Sequence, residues 1–322
     1  MAKNVTSEFV LTFSKSGRVR RFVLDDLKSI HGQRCWIHLD EDNQKSIDWL
    51  KNDSGLDDIV IENLMDEETH PRLFSNSKGI FVLLRDVNKN RNAEVEDMIS
   101  IRLWIEEKRI ISLSHRRQNS VENIVENFIK NGHASQTMLG IFIHLAKAIT
   151  ENIEKVLEKI DDELDDFEDE VIDVDRFHIN RLRSRISDIR HQILGMRRYI
   201  APQRDLFINL KVMEKLNNGE KAILRSIRRD MNLAVNELEY AREHSSVSQE
   251  ELDSRSNVQL NQTMYLLTII MVVLSPLTLI TGILGSNSLE IMENPLGFVY
   301  ITIALFLLAF IQIWYFKNKR LF

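Results

Sequence analysis

Polar and apolar positions change character along this 322-residue chain, and the sharpest change lies at its C-terminal end. Two stretches there, Met264 to Leu284 and Leu296 to Phe316, carry no charged residue. Each has about 20 residues, the length a helix needs to cross a hydrocarbon core of ~30 Å. A soluble core helix seldom stays uncharged on every face for that long, so both are read as membrane spans. Upstream, from Ser135, apolar residues recur at helical spacing: Ala146, Ile149, Ile153, Val156, Ile160, Leu164, Phe167 and Val171. A stricter series follows, Ile179, Leu182, Ile186, Ile189, Ile193, Met196 and Ile200, with alternating steps of 3 and 4. A heptad seam of this kind predicts that the two helices pack as an antiparallel pair. Pro202 ends or kinks the second, and Asn217-Asn218-Gly219 is the next break.

Between Glu220 and Leu274 there is neither Gly nor Pro. One helix of about 80 Å is predicted to run from there into the first span. Its stretch Ala241 to Thr263 is polar on nearly all faces. Both a helix lining a wide aqueous vestibule and a flexible linker fit that pattern. The N-terminal part, 1–131, reads differently. Glu8 to Phe13, Val19 to Leu24, Cys35 to Leu39, Gly79 to Val87, Met98 to Ile105 and Arg109 to Leu113 are strand-like, the last two forming a hairpin across Glu106-Glu107-Lys108. Ser46 to Lys51 and Asp57 to Glu67 are helix-like, and the alternation predicts an α/β layer.

Charge sets the orientation. The loop Ser286 to Pro295 holds Glu290 and Glu293 and no Lys or Arg, whereas Lys317, Lys319 and Arg320 follow the second span. By the positive-inside rule the C-terminus is cytoplasmic and the loop faces outside. Met1 to Phe13 does not read as a signal peptide, so the N-terminal part is placed in the cytoplasm too. Trp314 and Tyr315 beside the basic tail suit an interfacial belt. The predicted fold class is an α+β membrane protein, segmented as 1–131, an α/β domain; 132–218, an antiparallel helical pair; 219–263, a stalk helix; 264–285, the first span; 286–295, the outer loop; 296–316, the second span; and 317–322, a basic tail.

The rest of the composition narrows the chemistry. A net charge of -6 implies no nucleic-acid partner, and the single cysteine, Cys35, permits neither an intrachain disulfide nor a Cys-rich zinc site. His31, His38, His70 and His115 have no structural-zinc spacing, and His38 reads as a packed strand residue. No phosphate-cradling loop and no Ser-His-Asp or Cys-His arrangement is present, so the chain does not read as an enzyme. Asp161 to Glu170 has eight carboxylates in ten residues. It either gathers cations or is a solvated helix tip on which Leu164 and Phe167 still pack, and Arg176, Arg181, Arg183, Arg185, Arg190, Arg197 and Arg198 stand ready to pair with it.

The two spans differ. The first carries Thr268, Ser275, Pro276, Thr278, Thr281 and Gly282; the second has only Thr302 and Gln312 as strongly polar side chains. The first is therefore placed at the centre of an oligomer and the second against lipid, the alternative being that its hydroxyls bond their own helix or a neighbour. Two helices cannot enclose a pore, so a channel requires a cyclic homo-oligomer. The first span closes on Thr281-Gly282-Ile283-Leu284-Gly285-Ser286-Asn287. A ring of amides at such a mouth can hold a hydrated divalent cation without stripping its shell. A membrane-anchored scaffold or sensor, supported by the strict heptad, is the reading from another class.

These C-terminal features resemble the CorA superfamily of divalent-cation transporters. Leu267-Thr268-Ile269-Ile270, Pro276-Leu277-Thr278 and the Gly-x-Asn signature Gly285-Ser286-Asn287 carry the likeness. Three further segments resemble the ZntB zinc-transporter branch: Trp36-Ile37-His38-Leu39-Asp40, Glu68-Thr69-His70-Pro71-Arg72 and Met196 to Asp205, MRRYIAPQRD. The signature here has Ser where the magnesium branch has Met and the zinc branch Val or Ile. The resemblance implies a funnel-shaped homopentamer in the inner membrane, with the long helix as its inner wall and no covalently bound cofactor. It implies Asn287 as the outer selectivity ring and metal ligand, with Ser286, Gly285, Gly282, Thr278, Ser275, Met271, Thr268, Leu267, Met264 and Asn261 following down the pore. Glu290 and Glu293 would attract cations outside, and Lys317, Lys319 and Arg320 would form a basic collar. The transported ion it implies is Zn2+, with Mg2+ as the alternative. Coupling to protons would have to use Glu290, Glu293 or a group in the funnel, because neither span holds a titratable carboxylate or histidine.

Overall fold

The computed structural model describes residues 8–14, 18–24, 33–67, 70–89, 96–115, 119–131, 137–172, 178–286 and 295–318. The backbone divides into two units, Met1–Val174 with Asn180–Gln249, and Asp175–Ile179 with Glu250–Phe322.

In the first unit seven strands form one mixed sheet: β1 (Phe9–Phe13), β2 (Val19–Phe22), β3 (Arg34–Asp40), β4 (Arg72–Ser75), β5 (Ile80–Asp86), β6 (Ile99–Ile105) and β7 (Arg109–Ser114), ordered β2-β1-β3-β7-β6-β5-β4. Only β3 and β7 pair in parallel, Ile37 opposite Ile111; the rest is antiparallel, including the β6–β7 hairpin across Glu106-Glu107-Lys108. The central strands are buried at nearly every position because helices cover both faces. On one side lie α1 (Gln44–Asn52), capped by the Asn43 side chain accepting from Lys45 N, and α2 (Asp58–Met65). They close a core of Ile37, Leu50, Leu64, Phe81, Trp104 and Ile111. On the other lie α3 (Asn119–Asn131), whose Phe128 meets Phe13 edge-on, and α4 (Met138–Ile172).

Two elements are absent from the sequence-based prediction, β4 and α3. Pro202, predicted to end or kink its helix, does not end it. Helix α5 runs from Ile179 to Asn209, seven residues past the proline. The proline removes one N–H from the ladder, and the flanking packing, with Leu206 and Phe207 buried, holds the next two turns. All seven residues of the heptad seam are buried, and Leu164 and Phe167 of the acidic run are fully buried.

Helix α6 runs unbroken from Asn218 to Ser286, 69 residues, so the polar stretch Ala241–Thr263 is helix and not linker. Cross-links fix the bundle. Thr137–Glu220, Lys147–Asp230 and Glu168–Ser248 keep an almost constant sequence separation of 83, 83 and 80, so α6 runs parallel to α4. Between α5 and α6 the separation grows from 21 at Phe207–Arg228 to 59 at Arg190–Gln249, which makes that pair antiparallel. The acidic and basic runs do meet: Arg185 bridges to Glu170 at 2.5 Å. Asp230 is nearly buried, and its hydrogen bond to Lys147, at 2.9 Å, ties α4 to α6. In the second unit α6 is followed by α7 (Pro295–Asn318), 24 residues long.

Candidate ion-conduction face of the long helix

Helix α6 is, among the described residues, the helix long and apolar enough to cross a membrane, and only 6% of its most apolar window is buried. A core helix of a soluble protein would be mostly buried, so this surface is built to meet something other than its own chain. The described part of α7 adds a shorter apolar stretch, Thr302–Gln312, with Phe306 and Phe310 more than two-thirds exposed.

The two helices cover only one stripe each. On α6 the covered positions are Ile269, Val273, Pro276, Leu277 and Ile280; on α7 they are Thr302, Leu305, Leu308, Ala309 and Gln312. At about 100° per residue, the covered stripe of α6 lies opposite another, made of Met264, Thr268, Met271, Ser275, Thr278 and Gly282 with alternating steps of 4 and 3. Every one of these is exposed, as are Asn261 and Leu267. A methyl group at Gly282 would meet nothing within 4 Å, so no contact inside the chain demands glycine there. The candidate residues from Asn261 to Gly282 therefore share one continuous open face. Gly285 and Ser286 sit in the last turn of α6, and Lys317 in the last turn of α7. Asn287, Glu290, Glu293, Lys319 and Arg320 lie outside the described residues.

The hydroxyls of this span do bond their own helix, as the alternative held. Thr268 Oγ1 donates to Met264 O at 2.7 Å, Thr278 Oγ1 to Leu274 O at 2.9 Å, and Thr281 Oγ1 to Leu277 O at 2.9 Å. With its proton committed to the backbone, each oxygen offers only lone pairs outward. Pro276 brings no N–H, so the Val272 carbonyl has no donor from its own ladder. On this face Thr268 and Thr278 thus present acceptor oxygens outward, the polarity that suits the water shell of a cation.

The stripe does not stop at the end of the apolar stretch. The same spacing continues upstream through Asn257, Asp253 and Glu250, and in sequence through Ser246, Glu243 and Glu239, with no Lys or Arg on it. This acidic extension is missing from the sequence reading, although the step of 3 and 4 carries it without interruption. Arg255 lies off the stripe, its guanidinium on Glu251 at 2.7 Å.

The remaining candidates are structural. His38 is buried, with Nδ1 at 2.8 Å and Nε2 at 3.3 Å from the hydroxyls of Ser112 and Ser114, and its ring stacks on Phe9. Burial pushes its pKa down to about 4, with Asp40 opposing and Arg21 adding. Cys35 is buried and its thiol is pushed up to about 11, chiefly by burial. His70 packs against Tyr199 and His115 pairs with Asp42 at 3.1 Å, while His31 lies outside the described residues. Among the described residues no group of His, Cys, Asp and Glu is arranged to hold a metal.

Comparison with known proteins adds a lineage to this geometry. The family model described as "CorA-like Mg2+ transporter protein" matches residues 31–320. "Divalent cation transporter CmaX" of Pseudomonas aeruginosa is 31% identical over 310 residues, covering 94% of this chain and 91% of that protein. "Zinc transport protein ZntB" of Yersinia pseudotuberculosis is 26% identical over 294 residues, covering 89% of this chain and 88% of the relative. The full-length CmaX structure superposes with a TM-score of 0.77 at 27% identity, covering 99% of both chains. The CorA magnesium transporter of Methanocaldococcus jannaschii also gives 0.77, at 17% identity, covering 96% of this chain and 97% of that one, a likeness of fold.

Proposed function

Because the chain belongs to the CorA-like family of transporter proteins, its function being divalent-cation transport in a membrane, we propose that it takes up zinc through a pore lined by α6. The observation that carries the pore is the open stripe from Asn261 to Gly282, opposite the one covered face of the span. A single copy cannot close a channel around that stripe, so copies of the chain assemble about an axis, five of them by the family resemblance. In this arrangement α7 is the second span and faces lipid, Asn287 forms the outer ring, Glu290 and Glu293 draw cations to it, and Lys317, Lys319 and Arg320 form the collar inside. Both termini are cytoplasmic, in the inner membrane.

Zinc rests on the zinc-transport relatives and on the Trp36–Asp40 and Met196–Asp205 segments that resemble them. The spans themselves leave magnesium open as the alternative: neither contains Cys, His or a carboxylate, and apart from the thioethers of Met264 and Met271 the proposed lining offers hydroxyl, amide and carbonyl oxygens. An inside-negative potential of ~100 mV supplies about 4.6 kcal/mol for a divalent ion, enough to drive uptake without ATP.

The test is reconstitution in liposomes with uptake of zinc and magnesium followed separately, with and without an inward proton gradient. Zinc uptake lost in Asn287→Ala, with membrane insertion retained, is the expected result. Magnesium uptake indifferent to protons would reassign the cargo, and no flux of either ion would return the chain to the scaffold reading.

A further inference from the structure

The segment Met196–Asp205 is unused by the pore, yet it is the most heavily tied part of α5. Strand β4 pairs with β5 only as far as Leu83, opposite Arg72. Beyond that point the outward N–H and C=O of Arg85 have no strand beside them. The fully buried Gln203 takes that place: Arg85 N donates to Gln203 Oε1 at 2.7 Å, and Gln203 Nε2 donates to Arg85 O at 3.2 Å. A side-chain amide here extends the sheet by one residue. The Arg85 guanidinium lies 4.2 Å over the Tyr199 ring and also donates to Met98 O, so one turn of α5 grips both backbone and side chain of the strand.

The same stretch of α5 is held from its other side by α6. Arg228 donates through Nε to Phe207 O at 2.8 Å and through Nη2 to Leu210 O at 2.9 Å, capping the last carbonyls of α5 with a cation. Arg197 forms an ion pair with Glu239 of α6. Pro202 has already removed one rung of the α5 ladder between these anchors. Helix α6 then continues without a break to Ser286.

We infer that Gln203 and Arg228 are positioning residues for transport: the C-terminal turns of α5 form a strut between the edge of the sheet and the long helix, and the setting of α6 depends on both of its ends. Neither residue touches the ion. The inference rests on the transporter reading and assigns to the α/β domain a mechanical hold on the pore helix. Two anchors on one strut act as a unit, so breaking either releases it.

The experiment uses the full-length protein in liposomes, with Gln203→Leu, Arg228→Met and the double variant, each normalised to folded protein and with its melting temperature measured. Each single variant is expected to change the rate of zinc or magnesium uptake by about fivefold. The half-saturating cation concentration stays put because no pore residue is altered. The double variant is expected to change the rate no further than the larger single effect. Effects that multiply in the double variant, or rates that simply follow the melting temperatures, would overturn the strut; so would unchanged rates in both singles. If the Leu or Met variants fail to assemble, Gln203→Glu and Arg228→Lys keep the shapes, weaken the bonds and run the same cycle. Absence of flux in the unaltered protein would instead fail the transporter reading.

Discussion

His38 offers a sharp test of the domain that leads into the helices. Its ring is buried between β1 and β7, held by Ser112 and Ser114, and stacked on Phe9 at 5.1 Å. The folded protein binds a proton there only near pH 4, whereas the unfolded chain does so at 6.5. Between these values the unfolded state carries more protons, so folding stability falls as pH falls, and the contribution is fully present only above 6.5. At ~1.36 kcal/mol per pH unit, the gap from 6.5 to about 4 is worth about 3 kcal/mol, of which about 2 kcal/mol is lost by pH 5. Substitution His38→Gln keeps a hydrogen-bonding side chain and removes the titration. Denaturant unfolding of both proteins, followed by fluorescence at pH 7, 6, 5 and 4.5, isolates the histidine as the difference between the two curves. The variant should lose less stability on acidification, by about 2 kcal/mol at pH 5. Parallel curves would refute the buried neutral imidazole, and a wild type that gains on the variant in acid would reverse its sign.

Other substitutions probe the sheet, the open stripe and its acidic extension. Ser112→Ala strips a partner from both Trp36 Nε1, at 2.8 Å, and His38 Nδ1, and should cost about 2–4 kcal/mol in urea unfolding. Gly282→Ala adds a methyl group that meets nothing within the chain, so insertion and thermal stability should hold or rise by up to ~1 kcal/mol while ion flux falls several-fold; unchanged flux would count against this face as the pathway. Glu250→Gln together with Asp253→Asn should slow uptake at low ionic strength and converge on the wild type near 1 M salt, where the screening length is only ~3 Å; a deficit that persists at high salt would mean the carboxylates do more than attract.

The apolar end of α6 is legible in the sequence because lipid imposes a crude requirement, about twenty residues without charge, which Met264–Leu284 meets. The seam of α5 is equally plain, since a strict step of 3 and 4 has few other readings. Helix α3 escapes the sequence reading although Val121, Ile124, Val125 and Phe128 follow helical spacing, because the run is short and set among Asn and Glu. Strand β4 escapes it because four residues, none of them buried, carry no periodic signal; its register comes from pairing with β5. Gln203 falls in the MRRYIAPQRD segment that carries a family resemblance, but its spacing does not announce the bond it makes. A polar side chain after a proline looks like a helix end, and only the sheet brought alongside shows it completing a strand. The candidate stripe is legible as spacing, but its place opposite the covered face needs the structure.

That placement bears on selectivity. In the proposed pore the walls between Met264 and Gly282 offer thioethers, hydroxyl lone pairs and bare backbone, and no net charge. The threonines donate inward to their own helix, so what faces the ion is acceptor oxygen. A cation that keeps its first water shell finds partners for that shell's hydrogens at little reorganisation cost. Such a wall, with no charged or thiolate ligand, sorts chiefly by hydrated size. Charge enters the proposed pore at its two ends, at Glu290 and Glu293 outside and at Glu250, Asp253 and the basic collar of Lys317, Lys319 and Arg320 below. In that proposed pore, discrimination between zinc and magnesium would fall to the Asn287 mouth or to the N-terminal domain, which the proposed strut at Gln203 and Arg228 ties to α6.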